Sequence, residues 1–209
     1  MKWQDCAGSY KAFISLGSTC QTAYQLRRLG LRNFSGPLDW FISRSVPDVT
    51  RLIRHRFNGF MELDRLRLTG TDTECYVVID EKNDVVSYHD FSRSLPPYRW
   101  AEAYPDFKQK MDRRVKAFLH AAKRQPVCLV RIQTSKAEAH QLHGALKKVM
   151  SGSFRLLIVN NEDGLHEIRH EDWGLPGVAS VSVPSGMDWR GSDLAWDRIM
   201  QGFKLRQGV

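Results

Sequence analysis

The second half of the chain alternates short apolar runs with amphipathic stretches, and this alternation limits the fold more than any other feature. Residues 127–132 (VCLVRI), 154–159 and 178–183 are short runs rich in β-branched side chains. Residues 136–150 and 192–203 instead repeat apolar side chains at helical spacing. The same order stands near the N-terminus, where AFISL at 12–16 ends in Gly17 and a helical pattern covers 19–29. Strands that alternate with helices form βαβ units, because parallel neighbours can be joined only by a crossover. Between these parts, 46–57 and 104–123 read as helices, the second burying Phe107, Met111, Val115, Phe118 and Leu119. Two β-rich runs, 75–79 and 85–88, flank the polar turn at 80–84 and predict a hairpin that ends at His89. Residues 58–74 show no clear period. The expected fold is α/β: a single domain over 1–209, with a mostly parallel sheet flanked by helices and an antiparallel hairpin addition.

At 209 residues, 42% hydrophobic and 26% charged, the chain has the size and composition of one well-buried globular unit. No apolar run reaches the roughly 18 residues of a membrane helix, and the first fifteen residues lack a signal peptide's apolar core. A cytoplasmic location without membrane contact is therefore expected. The four cysteines, Cys6, Cys20, Cys75 and Cys128, form no CxxC pair, which argues against a zinc ribbon or a thioredoxin-like motif. They are expected as reduced thiols. The formal charge of +8 draws on a dense stretch at Arg51, Arg54, Arg56, Arg65 and Arg67. Such a surface attracts anions, but no nucleic-acid motif accompanies it, so nucleic acid is not an expected partner.

In an open parallel sheet, ligands bind beyond the carboxyl ends of the strands, where loops and helix N-termini converge. The residues just past the expected strands are Gly17 to Cys20, His89 with Asp90, Arg131 with Gln133, Asn160 with Asn161, and Pro184 with Ser185. Ser18-Thr19-Cys20-Gln21 fits a capping box with Ser18 as N-cap, which sets Cys20 among free backbone N–H groups. That setting favours thiolate, so the Cys20 thiol is expected to ionise well below the ordinary cysteine range. Cys6 is expected to be exposed near the terminus. Arg27 and Arg28 fall in the last turn of this helix, and Gly30 suits a left-handed residue that closes it.

His89, at a strand end, suits a base for the thiol, and Asn160, Asn161 or Asp39 could orient its ring. Asp90 is not expected to do so, since consecutive strand side chains point to opposite faces. The substrate-binding candidates are Ser18, Arg131, Trp40 and Asp90.

The blocks from Ser15 to Arg32 (SLGSTCQTAYQLRRLGLR) and Ser35 to Trp40 (SGPLDW) resemble a bacterial family described as papain-like cysteine peptidases. His89-Asp90-Phe91, Arg113-Arg114, Leu129-Val130-Arg131 and Trp189-Arg190-Gly191 leading to Trp196 extend that resemblance over about residues 13–200. It implies Cys20 on a helix N-terminus and His89 on a strand, acting in that order along the chain.

His166-Glu167-Ile168-Arg169-His170 matches the HExxH zinc pattern, but glycines and a proline leave it barely two helical turns, and charges flank its second histidine. His140 and His143 stand three apart with no clear third ligand. No metal and no cofactor are expected. The leading expectation is a cysteine-dependent hydrolase or acyl-transfer enzyme acting on a peptide or acyl compound. The alternative is a binding or transferase domain that uses Arg131 to hold an anionic sugar or nucleotide.

Overall fold

The computed structural model describes residues 1–123 and 126–206. In chain order its strands and helices are β1 (Gly8–Tyr10), β2 (Ala12–Ser15), α1 (Gln21–Arg28), β3 (Phe41–Ile42), α2 (Val46–Arg54), β4 (Leu66–Thr71), β5 (Cys75–Asp80) and β6 (Val85–Ser92). There follow α3 (Tyr104–Ala121), β7 (Val127–Ile132), α4 (Lys136–Val149), β8 (Phe154–Glu162), β9 (Arg169–Glu171), β10 (Val178–Pro184), α5 (Asp193–Ile199) and β11 (Phe203–Leu205).

The main sheet runs β2-β7-β8-β10-β9, with every pair parallel except the short β9 against β10. All six residues of β7 are buried, which explains why every one of them except Arg131 is apolar. Val127 and Leu129 face a core filled by α2, α3 and α4, whereas Cys128, Val130 and Ile132 face α5 and Leu26 of α1. The expected parallel sheet with helices on both faces is thus observed. Among the described residues, no helix is long and apolar enough to cross a membrane.

The antiparallel part is larger than a hairpin. It is a separate four-stranded sheet in the order β3-β6-β5-β4, inserted between β2 and β7. Strand β4 gave no sequence signal because only Leu66 of LRLTGT is buried, so no alternation is written into it. Strand β6 runs on to Ser92, past the predicted end of the hairpin at His89. A third, two-stranded sheet pairs β1 with β11, and Cys6 beside it is fully buried rather than exposed. The HExxH segment is not helical. Its Arg169 and His170 lie in β9, so the two histidines do not share a helix face.

Candidate active site

The turn between β2 and α1 is built for close approach. Gly17 has φ +77°, and a Cβ there would lie 2.3 Å from Ser43 Oγ, so no other residue fits. Ser18 is also left-handed, at φ +83°, an uncommon state for a side-chain-bearing residue. It is held by Ser43, whose Oγ accepts from Ser18 N at 3.1 Å and whose N donates to Ser18 O at 2.9 Å. Ser18 is therefore buried and neither caps the helix nor faces a ligand. The helix begins two residues later than expected, with Cys20 as its N-cap residue and Thr19 Oγ1 accepting from Gln21 N at 3.3 Å. Its far end matches the expectation: Gly30 is left-handed, Gly30 N donates to Arg27 O and Leu31 N to Leu26 O. These two bonds close a Schellman motif.

Arg131 is wholly buried, and its guanidinium donates to three backbone carbonyls: Leu16 at 2.5 Å, Ser43 at 2.7 Å and Arg44 at 3.2 Å. It staples the end of β2 to the end of β3 and cannot touch a ligand. Burial lowers its pKa to about 10, and the carboxylate of Glu138 opposes that loss. The reading of Arg131 as a substrate-binding residue is corrected to a positioning one.

His89 arrives from the antiparallel sheet through a bulge. Tyr76 pairs with Phe91 and Val78 with Ser87, so Val77 alone faces the three residues Tyr88, His89 and Asp90. A bulge re-aims side chains. Tyr88 and His89, neighbours that would alternate in a regular strand, both line one cleft with Cys20. Cys20 Sγ and His89 Nε2 stand 4.0 Å apart, joining positions 69 residues distant in sequence.

The remaining sequence candidates are elsewhere. Asn160 is tied to Thr134, accepting from its N at 2.9 Å and donating to its O at 3.2 Å. Asp39 is buried and accepts from Arg32 Nε at 2.8 Å and Gly36 N at 2.9 Å, holding the loop before β3. Asp90 accepts from Ser87 Oγ at 2.6 Å and pairs with Lys110 of α3. None of these orients His89 or faces the cleft, and each is corrected to a structural anchor. Asn161 exchanges two hydrogen bonds with the side chain of Gln21, at 2.8 and 3.1 Å, fixing the start of α1 to the end of β8. Among the described residues, no carboxylate or carboxamide hydrogen-bonds the His89 ring.

The cleft has a volume of about 780 Å³ and is lined by Thr19, Cys20, Arg27, Trp40, Ile42, Arg44, Asp72, Tyr88, His89 and Trp189. Trp40 is therefore where the sequence reading placed it. Arg27, Arg44, Tyr88, Asp72 and Trp189 were missed. Trp189 carried a signal only as one piece of the family resemblance, and Arg27 read as a charge closing a helix. Trp189 is 56% exposed, on the loop between β10 and α5. That loop is pinned to α1 by Gln25 Nε2, which donates to Arg190 O at 2.8 Å and Asp193 Oδ1 at 2.7 Å, and by Tyr24 packed edge-on to Trp189.

Burial pushes the Cys20 thiol up from 9.0 to about 11, and the carboxylates of Asp39 and Asp90 act in the same direction against the backbone N–H of Cys20. The expected low thiol pKa is thus overturned. Desolvation of the charged form outweighs the helix N-terminus, because Cys20, though it lines the cleft, is mostly buried.

A protein of Acanthamoeba polyphaga mimivirus, named "Uncharacterized protein R408", is 33% identical over 123 residues, covering 51% of this chain. The chain spans about half of that relative, 54% of its length. No solved structure matches. A family profile matches residues 11–164, a span that holds Cys20, the bulge and His89 but ends before the Trp189 loop. On that match the chain belongs to the family described as "Putative papain-like cysteine peptidase (DUF1796)".

Proposed function

We propose that this protein is a cysteine-dependent hydrolase or acyl-transfer enzyme in which Cys20 is the nucleophile and His89 the general base. The observation that supports this most is the 4.0 Å approach of Sγ and Nε2 inside a cleft, made by two otherwise separate sheets. Burial keeps Cys20 a thiol at neutral pH, so its proton passes to His89 as the sulfur–carbon bond forms. The carbonyl oxygen, now an oxyanion, is met by the positive end of α1, whose first-turn N–H groups have no partner within the helix. Collapse breaks the bond to the leaving group, which takes the proton from His89 and leaves a thioester on Cys20. Water then attacks the thioester, gives its proton to His89, and the carboxylic acid departs as the thiol is restored.

In this reading the bulge, rather than a third side chain, sets the direction of the imidazole. Four free thiols suit a reducing compartment such as the cytoplasm. An activated ester tests the assignment without knowledge of the natural substrate. With p-nitrophenyl acetate, nitrophenol release should coincide with an acetyl group on Cys20 detected by mass spectrometry. His89→Ala should slow both formation and hydrolysis of that thioester by about 100-fold. Nitrophenol release unchanged in Cys20→Ala would remove the nucleophile from the scheme.

A further inference from the structure

The cleft contains two cations with no carboxylate partner among the described residues, and this contrasts with their neighbours. On α1, Arg28 pairs with Asp193 at 3.2 Å and Asp197 at 2.6 Å, and Arg32 just beyond pairs with Asp39 at 2.8 Å. Arg27 and Arg44 are exposed in the cleft and have no carboxylate partner among the described residues. Both are nevertheless well placed. The Arg27 guanidinium lies 5.0 Å from the centroid of the Trp40 ring, a cation–π contact that leaves its N–H groups able to donate to an acceptor. The backbone of Arg44 is held by buried Arg131, which donates to its carbonyl at 3.2 Å. A carboxylate is the group that a planar, five-donor guanidinium matches best in an acyl substrate.

We propose that the cleft selects an acyl substrate carrying a carboxylate near the scissile carbonyl, such as a peptide with an acidic side chain, bound by Arg27 and Arg44. The proposal rests on Cys20 being the nucleophile. Trp40 and Trp189 provide the apolar walls against which the rest of such a chain lies. Asp72, also on the lining, disfavours a second anion in the cleft.

Two alkylating agents that differ only in charge read this directly, since in both the sulfur displaces iodide from a methylene carbon. The rates of iodoacetate and iodoacetamide at Cys20 are followed by peptide mass spectrometry on the intact chain, with N-acetylcysteine as reference. The iodoacetate-to-iodoacetamide ratio should exceed that of N-acetylcysteine by about tenfold, the worth of one charge-assisted pair. Arg27→Gln combined with Arg44→Gln should bring the ratio down to the reference value. A Cys20 that reacts with iodoacetamide at the reference ratio, unmoved by the two substitutions, overturns the carboxylate site and leaves the nucleophile standing. A Cys20 inert to both agents overturns the nucleophile, and the carboxylate site with it.

Discussion

The two larger sheets divide the work differently. The parallel sheet is regular: β7 and β8 pair without interruption over six positions, both faces are buried, and its loops are fixed by glycine and by Arg131. The antiparallel sheet is irregular. Its register shifts between Leu68 and Gly70 on β4 and between Tyr76 and Val78 on β5, and β5 buries only alternate residues. The cysteine stands on the regular sheet and the histidine on the irregular one. A nucleophile at a helix start needs a rigid turn, whereas a base that must reach it from another sheet needs an aim that a regular strand cannot give.

The comparison is broken most severely at Arg131, the residue that joins the two sheets. Arg131→Met keeps the aliphatic volume but leaves three carbonyls without donors, a loss on the order of 4 kcal/mol in urea unfolding at about 1–3 kcal/mol per buried group. Arg131→Lys retains a cation yet cannot span three acceptors at once. It should recover part of the stability while alkylation of Cys20 by iodoacetamide stays altered. If Arg131→Lys restores stability and Cys20 reactivity together, Arg131 is only a packing residue.

This contrast also explains what the sequence revealed. The parallel strands announced themselves because a strand buried on both faces is mostly apolar, and Val127–Ile132, in which Arg131 is the one charged residue, was read to its ends. Cys20 stood out because it follows a Gly-Ser turn, and His89 because the β-rich pattern stops there, although β6 itself runs on to Ser92. The partner residues were not, since Asn160, Asp39 and Arg131 are polar groups whose use is decided by three-dimensional neighbours. A buried arginine binding carbonyls and an exposed arginine facing a ligand read identically in one dimension. The bulge left no trace either, because which residues of β6 face Val77 is set by pairing across the sheet, and the expected hairpin stopped at His89.

The bulge itself gives the second, smaller test. Strand β6 has three residues opposite one, so deletion of Tyr88 removes an extra residue without disturbing the pairs at Ser87 and Phe91. Unfolding stability should fall by no more than about 1–2 kcal/mol, within the usual range for single changes. The histidine should swing off the sulfur, and thioester formation at Cys20 should drop by at least about tenfold. Retained thioester formation would show that His89 finds Cys20 by some route other than the bulge.

The smallest effect concerns the field between the two sheets. The Cys20 thiol is raised from 9.0 to about 11, first by burial and then by Asp39 and Asp90. The folded chain therefore holds this proton more tightly than the unfolded chain. The associated stability is complete below pH 9 and is lost as pH climbs through about 11, with buried Cys6 adding to the same alkaline loss. Alkylation by iodoacetamide, which needs thiolate, should accordingly rise across this window instead of levelling near neutrality. Asp90→Asn removes one carboxylate and frees Lys110 as an uncompensated cation, and both changes favour thiolate. The neutral-pH rate at Cys20 should rise a few-fold. Cys75, which Asp90 also pushes up, should move the same way, whereas Cys6, whose thiol is set by its own burial with Arg155 and Asp5, should not. A Cys75 profile that moves while the Cys20 profile stays fixed would mean that the charge on the irregular sheet does not reach the sulfur on the regular one.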